Sequence, residues 1–144
     1  MITRIEAFHY RCFDDLGIDL GDPCVIVGSN GAGKTTLMDI PGLLGAMTRA
    51  NNISSTFLLK NHRRIARASS LTELIHQNQG DTIAFAVEAK LPNEIINQIV
   101  GTATDTIKAN ERLWPRYIRY ELRIQLFNQR ELQVLNEYAF IFSE

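Results

Sequence analysis

Eight consecutive residues, Gly28-Ser29-Asn30-Gly31-Ala32-Gly33-Lys34-Thr35, fill the pattern G-x-x-x-x-G-K-[ST]. Typical residue frequencies produce such a match by chance in roughly one chain in two hundred of this length. The chemistry it serves is phosphate binding. Gly28, Gly31 and Gly33 permit positive φ and let backbone N–H groups face phosphate oxygens with no Cβ in the way. A helix opening at this point adds the partial positive charge of its N-terminus. Lys34 neutralises β- and γ-phosphate charge and is the catalytic candidate. The Thr35 hydroxyl is the candidate Mg²⁺ ligand. The candidate nucleotide contacts are Gly28, Ser29, Asn30, Gly31, Ala32, Gly33, Lys34, Thr35 and Thr36.

No other group carries comparable chemistry. His9, His62 and His76 lack metal-ligand spacing among themselves or with Cys12 and Cys24. Two cysteines are too few for a disulfide framework or a four-ligand zinc site. Cys24 reads as a small core residue, and Cys12 has no evident activating base. The run Lys60 to Arg67 is basic; Lys60, Arg63, Arg64 and Arg67 could meet DNA, although a solvated helix or loop has the same composition. Trp114-Pro115 reads as packing beneath a loop. Arg112, Arg116, Arg119 and Arg123 partly share a strand face, expected to be solvated.

A phosphate loop has to join a buried strand to a helix. Cys24-Val25-Ile26-Val27 is a short apolar run, the pattern of a strand covered on both faces. From Thr35 a helix is expected, with Leu37, Met38, Leu44 and Met47 apolar and Pro41 kinking or ending it. Upstream, Ile2–Phe8 opens the sheet, Asp14-Asp15-Leu16-Gly17 reads as a turn and Ile18–Leu20 as a short strand. Ser70-Leu71-Thr72-Glu73 is a capping box, predicting a helix over 71–78. Downstream, alternation predicts strands at 82–91 and 118–126, and 131–142 reads as a hairpin partner strand. A helical insertion near Ile95–Val100 and a turn at Asn128-Gln129-Arg130 join them. Tyr138–Phe142 brings an apolar strand to the last residues, which implies either pairing in the fold or a sequence cut from something longer; we favour the cut.

The 144 residues suit a single domain, 1–144, with strand, loop and helix in 1–50 and antiparallel strands in 81–142. A net charge of −1 gives no global case for nucleic acid or an anionic membrane. With 45% apolar and 22% charged residues, and no run long enough to span a bilayer, a soluble cytoplasmic protein is expected.

Ile5 to Met47 resembles the N-terminal segment of the ABC-type AAA ATPases of the SMC, RecF and OLD kind. The likeness lies in Phe8-His9-Tyr10-Arg11-Cys12-Phe13, Asp15-Leu16-Gly17-Ile18-Asp19-Leu20 and the loop itself, in which Asn30 before Gly31 is the telling spelling. It covers 1–47 well and 70–142 loosely, where Glu137-Tyr138-Ala139-Phe140 is similar to the lead into that family's inserted arm. The resemblance implies an α/β P-loop NTPase lobe with a central strand–loop–helix unit and an antiparallel β subdomain. It also implies ATP and Mg²⁺ as ligands, and a C-terminal half or second head as partner, two heads sandwiching two ATP molecules. In it Arg11 lies near the nucleotide and Asn30 near the γ-phosphate; Gln125, Gln129 and Gln133 are alternatives for a metal-meeting glutamine. No signature loop and no Asp-Glu-terminated strand occurs, so the chain reads as half an enzyme, inactive alone. Pro41 is atypical. A nucleotide-dependent interaction module that does not hydrolyse ATP also fits. A P-loop kinase or GTPase fits less well, since N-K-x-D is missing and the second half is antiparallel.

Overall fold

The computed structural model describes residues 1–58 and 66–143. Strands form where apolar residues alternate, and they pair as a five-stranded antiparallel sheet in the order β2-β1-β3-β4-β5. The strands are β1 (Ile2–Tyr10), β2 (Phe13–Asp19), β3 (Thr82–Lys90), β4 (Tyr117–Phe127) and β5 (Glu131–Phe142). Helix α1 (Lys34–Met47) follows the glycine-rich loop, and α2 (Ser55–Leu58) is a single turn. The insertion between β3 and β4 holds α3 (Asn93–Thr102) and α4 (Asp105–Ala109). No helix among the described residues is long and apolar enough to cross a membrane.

Period-two alternation gives the sheet two unlike faces. Ile5, Ala7, Ile83, Phe85, Leu122 and Ile124 point into the core, where Leu37, Ile40, Leu43, Leu44 and Met47 of α1 join them. Each fully buried aliphatic chain of this kind contributes about 1.5–3 kcal/mol. A smaller cluster of Leu91, Ile96 and Val100 supports the insertion. Trp114 packs there beneath its loop, donating Nε1–H to Ile107 O at 3.0 Å. The opposite face is charged, and Arg119 lies at its centre. That guanidinium meets Glu6, Glu88 and Glu121 at 2.6, 2.6 and 2.5 Å. Arg4 bridges Glu6 to Asp19.

The structure corrects several local expectations. The Arg119 side chain is 17% exposed, so it is no solvated cation; Glu6 of β1, Glu88 of β3 and Glu121 of its own strand converge on it. Arg112 and Arg116 lie outside the strands altogether. Asp14–Gly17 is strand, because Leu16, Ile18 and Leu20 alternate toward the core while Asp15, Gly17 and Asp19 face out. The reversal falls instead at Arg11-Cys12. Helix α1 runs unbroken through Pro41, held by buried Leu37 and Ile40 on one side and Leu43, Leu44 and Met47 on the other. Its Met38 is 65% exposed. The predicted helix 71–78 is two 3₁₀ turns, Leu71–Leu74 and His76–Asn78, parted at Ile75, which bridges to Tyr10. There Glu73 accepts from Ser69 N–H at 3.0 Å, while Ser70 Oγ pairs with Thr72 Oγ1, so the capping box does not close.

The largest departure concerns Cys24–Val27, which forms no strand. Cys24 is exposed, and Val25 and Val27 are 82% and 84% exposed. An apolar run becomes a ladder only beside a backbone with free N–H and C=O groups. Among the described residues no strand pairs with this segment, although Ile26 packs against the main core. In the other half of the chain β5 pairs with β4 along one edge, and its Tyr138, Phe140 and Ile141 remain exposed.

Candidate phosphate-binding site

The glycine-rich segment ends in a sharp turn that starts α1. Gly33 caps the helix with φ 87° and ψ 8°, and Gly31 has φ 83°, both in the left-handed region that glycine tolerates best. Gly28 does not take positive φ, contrary to the sequence expectation. Leu37 N–H donates to Gly33 O at 2.8 Å, the first helical bond. The amides of Lys34, Thr35 and Thr36 precede it, so they have no acceptor within the helix and carry its positive end. Lys34 folds back over the loop. Its Nζ donates to Gly28 O at 2.6 Å and Ser29 O at 2.7 Å, fixing the ammonium across the mouth of the turn.

These groups border a pocket of about 430 Å³ lined by Arg11, Cys12, Asn30, Gly31, Gly33, Lys34, Thr35 and Thr36. Of the residues singled out from the sequence, seven line it. Gly28, Ser29 and Ala32 shape the loop without lining the space; two of them supply the carbonyls that hold Lys34. Gln125, Gln129 and Gln133 do not line it, and Gln125 donates to Asp81 Oδ2 at 2.6 Å. The lining set carries two fixed cations and no carboxylate, so the pocket suits an anion.

Arg11 arrives from the β1–β2 reversal. It takes φ 54°, a conformation rare for a non-glycine residue, and two contacts keep it there. Its N–H donates to Leu74 O at 2.8 Å, and its carbonyl accepts from His76 Nδ1 at 2.7 Å. The guanidinium donates to the main-chain oxygen of Arg67. Arg67 in turn forms a two-pronged pair with Asp39 of α1, Nε to Oδ2 at 2.6 Å and Nη2 to Oδ1 at 2.9 Å. Hydrogen bonding to Asp39 raises the Arg67 pKa further, against the opposing effect of burial. Sequence reasoning missed Cys12, Asp39 and His76. Only the position of Cys12 directly after Arg11 offered a clue. Of the basic residues weighed for DNA contact, Lys60, Arg63 and Arg64 lie outside the described residues, and Arg67 is committed to Asp39.

Among the described residues no group of three or more His, Cys, Asp and Glu could hold a metal ion. A second concavity, about 500 Å³, lies on the charged sheet face between Arg4, Glu6, Phe8, Gly17, Arg119 and Tyr138. The charges of Arg4, Glu6 and Arg119 there neutralise one another in ion pairs.

Residues 4–138 match the model of a family described as "AAA domain". An OLD nuclease of Thermus scotoductus is 45% identical over 38 residues, 26% of this chain and 7% of that protein. The hemin import ATP-binding protein HmuV of Rhodopseudomonas palustris is 35% identical over 128 residues, 85% of this chain and 43% of that protein. The chain thus spans less than half the length of the curated relatives it matches. These matches agree with the likeness to the N-terminal part of SMC-, RecF- and OLD-like ATPases.

Proposed function

The chain belongs to the AAA domain family, matching it over residues 4–138, and on that premise we propose that it is the ATP-binding N-terminal lobe of an SMC/RecF/OLD-like ATPase head. One observation carries this reading: Lys34, the free amides at the start of α1 and Arg11 converge on one pocket behind a turn that Gly31 and Gly33 make possible. Lys34 would neutralise the β- and γ-phosphates, Thr35 would offer its hydroxyl to Mg²⁺, and Asn30 and Arg11 would flank the phosphate chain. The bound ion would supply charge neutralisation on the phosphates. The pocket fits a polyphosphate because its donors are cationic or amide N–H and the space beside Gly31 is open, with no atom within 4 Å of where a Cβ would stand.

Hydrolysis needs a group to orient the attacking water. No carboxylate lines the pocket, which supports a role completed by a second lobe or head. The exposed apolar Val25, Val27 and Met38 offer such a lobe a surface to cover. The antiparallel sheet speaks against a kinase or GTPase, whose sheets are mostly parallel. A module that binds ATP without turning it over differs only in behaviour. Single-turnover hydrolysis with the complementary lobe added distinguishes the two.

The test is thermal. Ligand that binds only the native state stabilises it by about 2.7 kcal/mol at one hundred times Kd. Mg-ATP should therefore raise the melting temperature of the wild-type chain, and Lys34→Ala should remove the shift. No shift in wild type, or an equal shift in the variant, would overturn the assignment.

A further inference from the structure

Nothing in the glycine-rich loop fixes the guanidinium of Arg11. It is held from behind, by a circuit that starts and ends on α1. Asp39 stands one helical turn beyond Thr35. Its carboxylate grips the Arg67 guanidinium with both oxygens, and Arg67 Nη1 donates to Thr56 O at 3.0 Å. With its side chain 15% exposed, Arg67 is pinned at every part of its fork. That fixes the position of its own main-chain oxygen, and this oxygen accepts from Arg11 Nη2. Arg11 lines the same pocket as Thr35 and Thr36.

The arrangement does more than staple the segment around Arg67 to α1. A staple needs Arg67 and Asp39 alone; it does not need a second guanidinium brought up to the Arg67 carbonyl. The Asp39 carboxylate meanwhile offsets the charge of the Arg67 guanidinium that it grips. We propose that Asp39 and Arg67 are positioning residues for Arg11, holding its guanidinium toward bound phosphate through the Arg67 carbonyl. The proposal rests on the nucleotide reading above.

Calorimetric titration of Mg-ATP into the full chain tests it in four forms: wild type, Asp39→Asn, Arg11→Ala and the double variant. Residues in one hydrogen-bonded network couple, whereas independent sites add. Asp39→Asn should weaken ATP binding by about 5–10-fold in the wild-type background, and by a factor near one once Arg11 is gone. Equal weakening in both backgrounds would mean general loosening and would overturn the proposal, as would unchanged affinity in Asp39→Asn. If Asp39→Asn does not fold, Arg67→Lys takes its place. Lysine keeps a charge near Asp39 but lacks the two-pronged grip, so the same background-dependent weakening is expected. If wild type and Lys34→Ala both fail to bind ATP, the nucleotide reading falls and this proposal with it, a result distinct from additivity.

Discussion

Gly33 and Cys12 touch as closely as a residue without a side chain allows: a Cβ on Gly33 would lie 2.6 Å from Cys12 Sγ. The Phe13 ring stands 2.8 Å from the same point. The β1–β2 reversal is thus seated against the start of α1, which brings Arg11 to the pocket beside the glycine-rich loop. Gly33→Ala would meet both this overlap and a φ of 87°. We expect a loss of about 2–4 kcal/mol in urea unfolding, from overpacking and backbone strain together. A loss below about 0.5 kcal/mol, the size of an ordinary surface change, would show that the two segments are not locked.

Removing Arg119 leaves Glu6, Glu88 and Glu121 facing one another. Arg119→Met should cost about 1–3 kcal/mol at neutral pH, an orphaned-charge penalty reduced by partial exposure. Arg119 hydrogen bonding holds the Glu6 carboxyl below its ordinary value. That stabilisation is fully present above the unfolded pKa of about 4.3 and is lost as pH falls through the depressed folded value. Acid should therefore narrow the gap between wild type and Arg119→Met. Urea midpoints at neutral and acid pH check this; an equal gap at both would sink it.

Tyr10 is buried edge-on to Phe85, ring centroids 4.8 Å apart, and burial pushes its phenol up to about 12. The folded state thus favours the neutral phenol. The associated stabilisation, about 2–3 kcal/mol, is complete below the unfolded pKa near 10 and disappears as pH rises toward 12. Wild type should lose more stability than Tyr10→Phe across that window. Parallel alkaline profiles for the two proteins would contradict the burial argument.

Val25 and Val27 make little packing contact in this structure, both more than 80% exposed. Changing both to Ser should alter the stability of this chain by less than about 0.5 kcal/mol. A loss of about 2 kcal/mol or more would mean that the segment is packed after all.

The glycine-rich turn into α1 and the three later strands were legible because their signals are local. Eight adjacent residues spell the loop, period-two alternation assigns the inner faces of β3 and β4 without reference to their neighbours, and the turn at Asn128-Gln129-Arg130 announces β5 as a partner strand. The same logic failed at Cys24–Val27, where apolar composition was right for a strand but a ladder needs a second backbone alongside. It failed at Leu71–Asn78 too, where the bridge from Ile75 to Tyr10 outweighed a good helix start. What only the tertiary structure decided is which charges meet. Arg119 reaches Glu6 across 113 residues, and Arg67 reaches Asp39 across 28. Sequence periodicity reports which face a side chain takes, whereas an ion pair depends on a distance through space, and the folded sheet sets that distance.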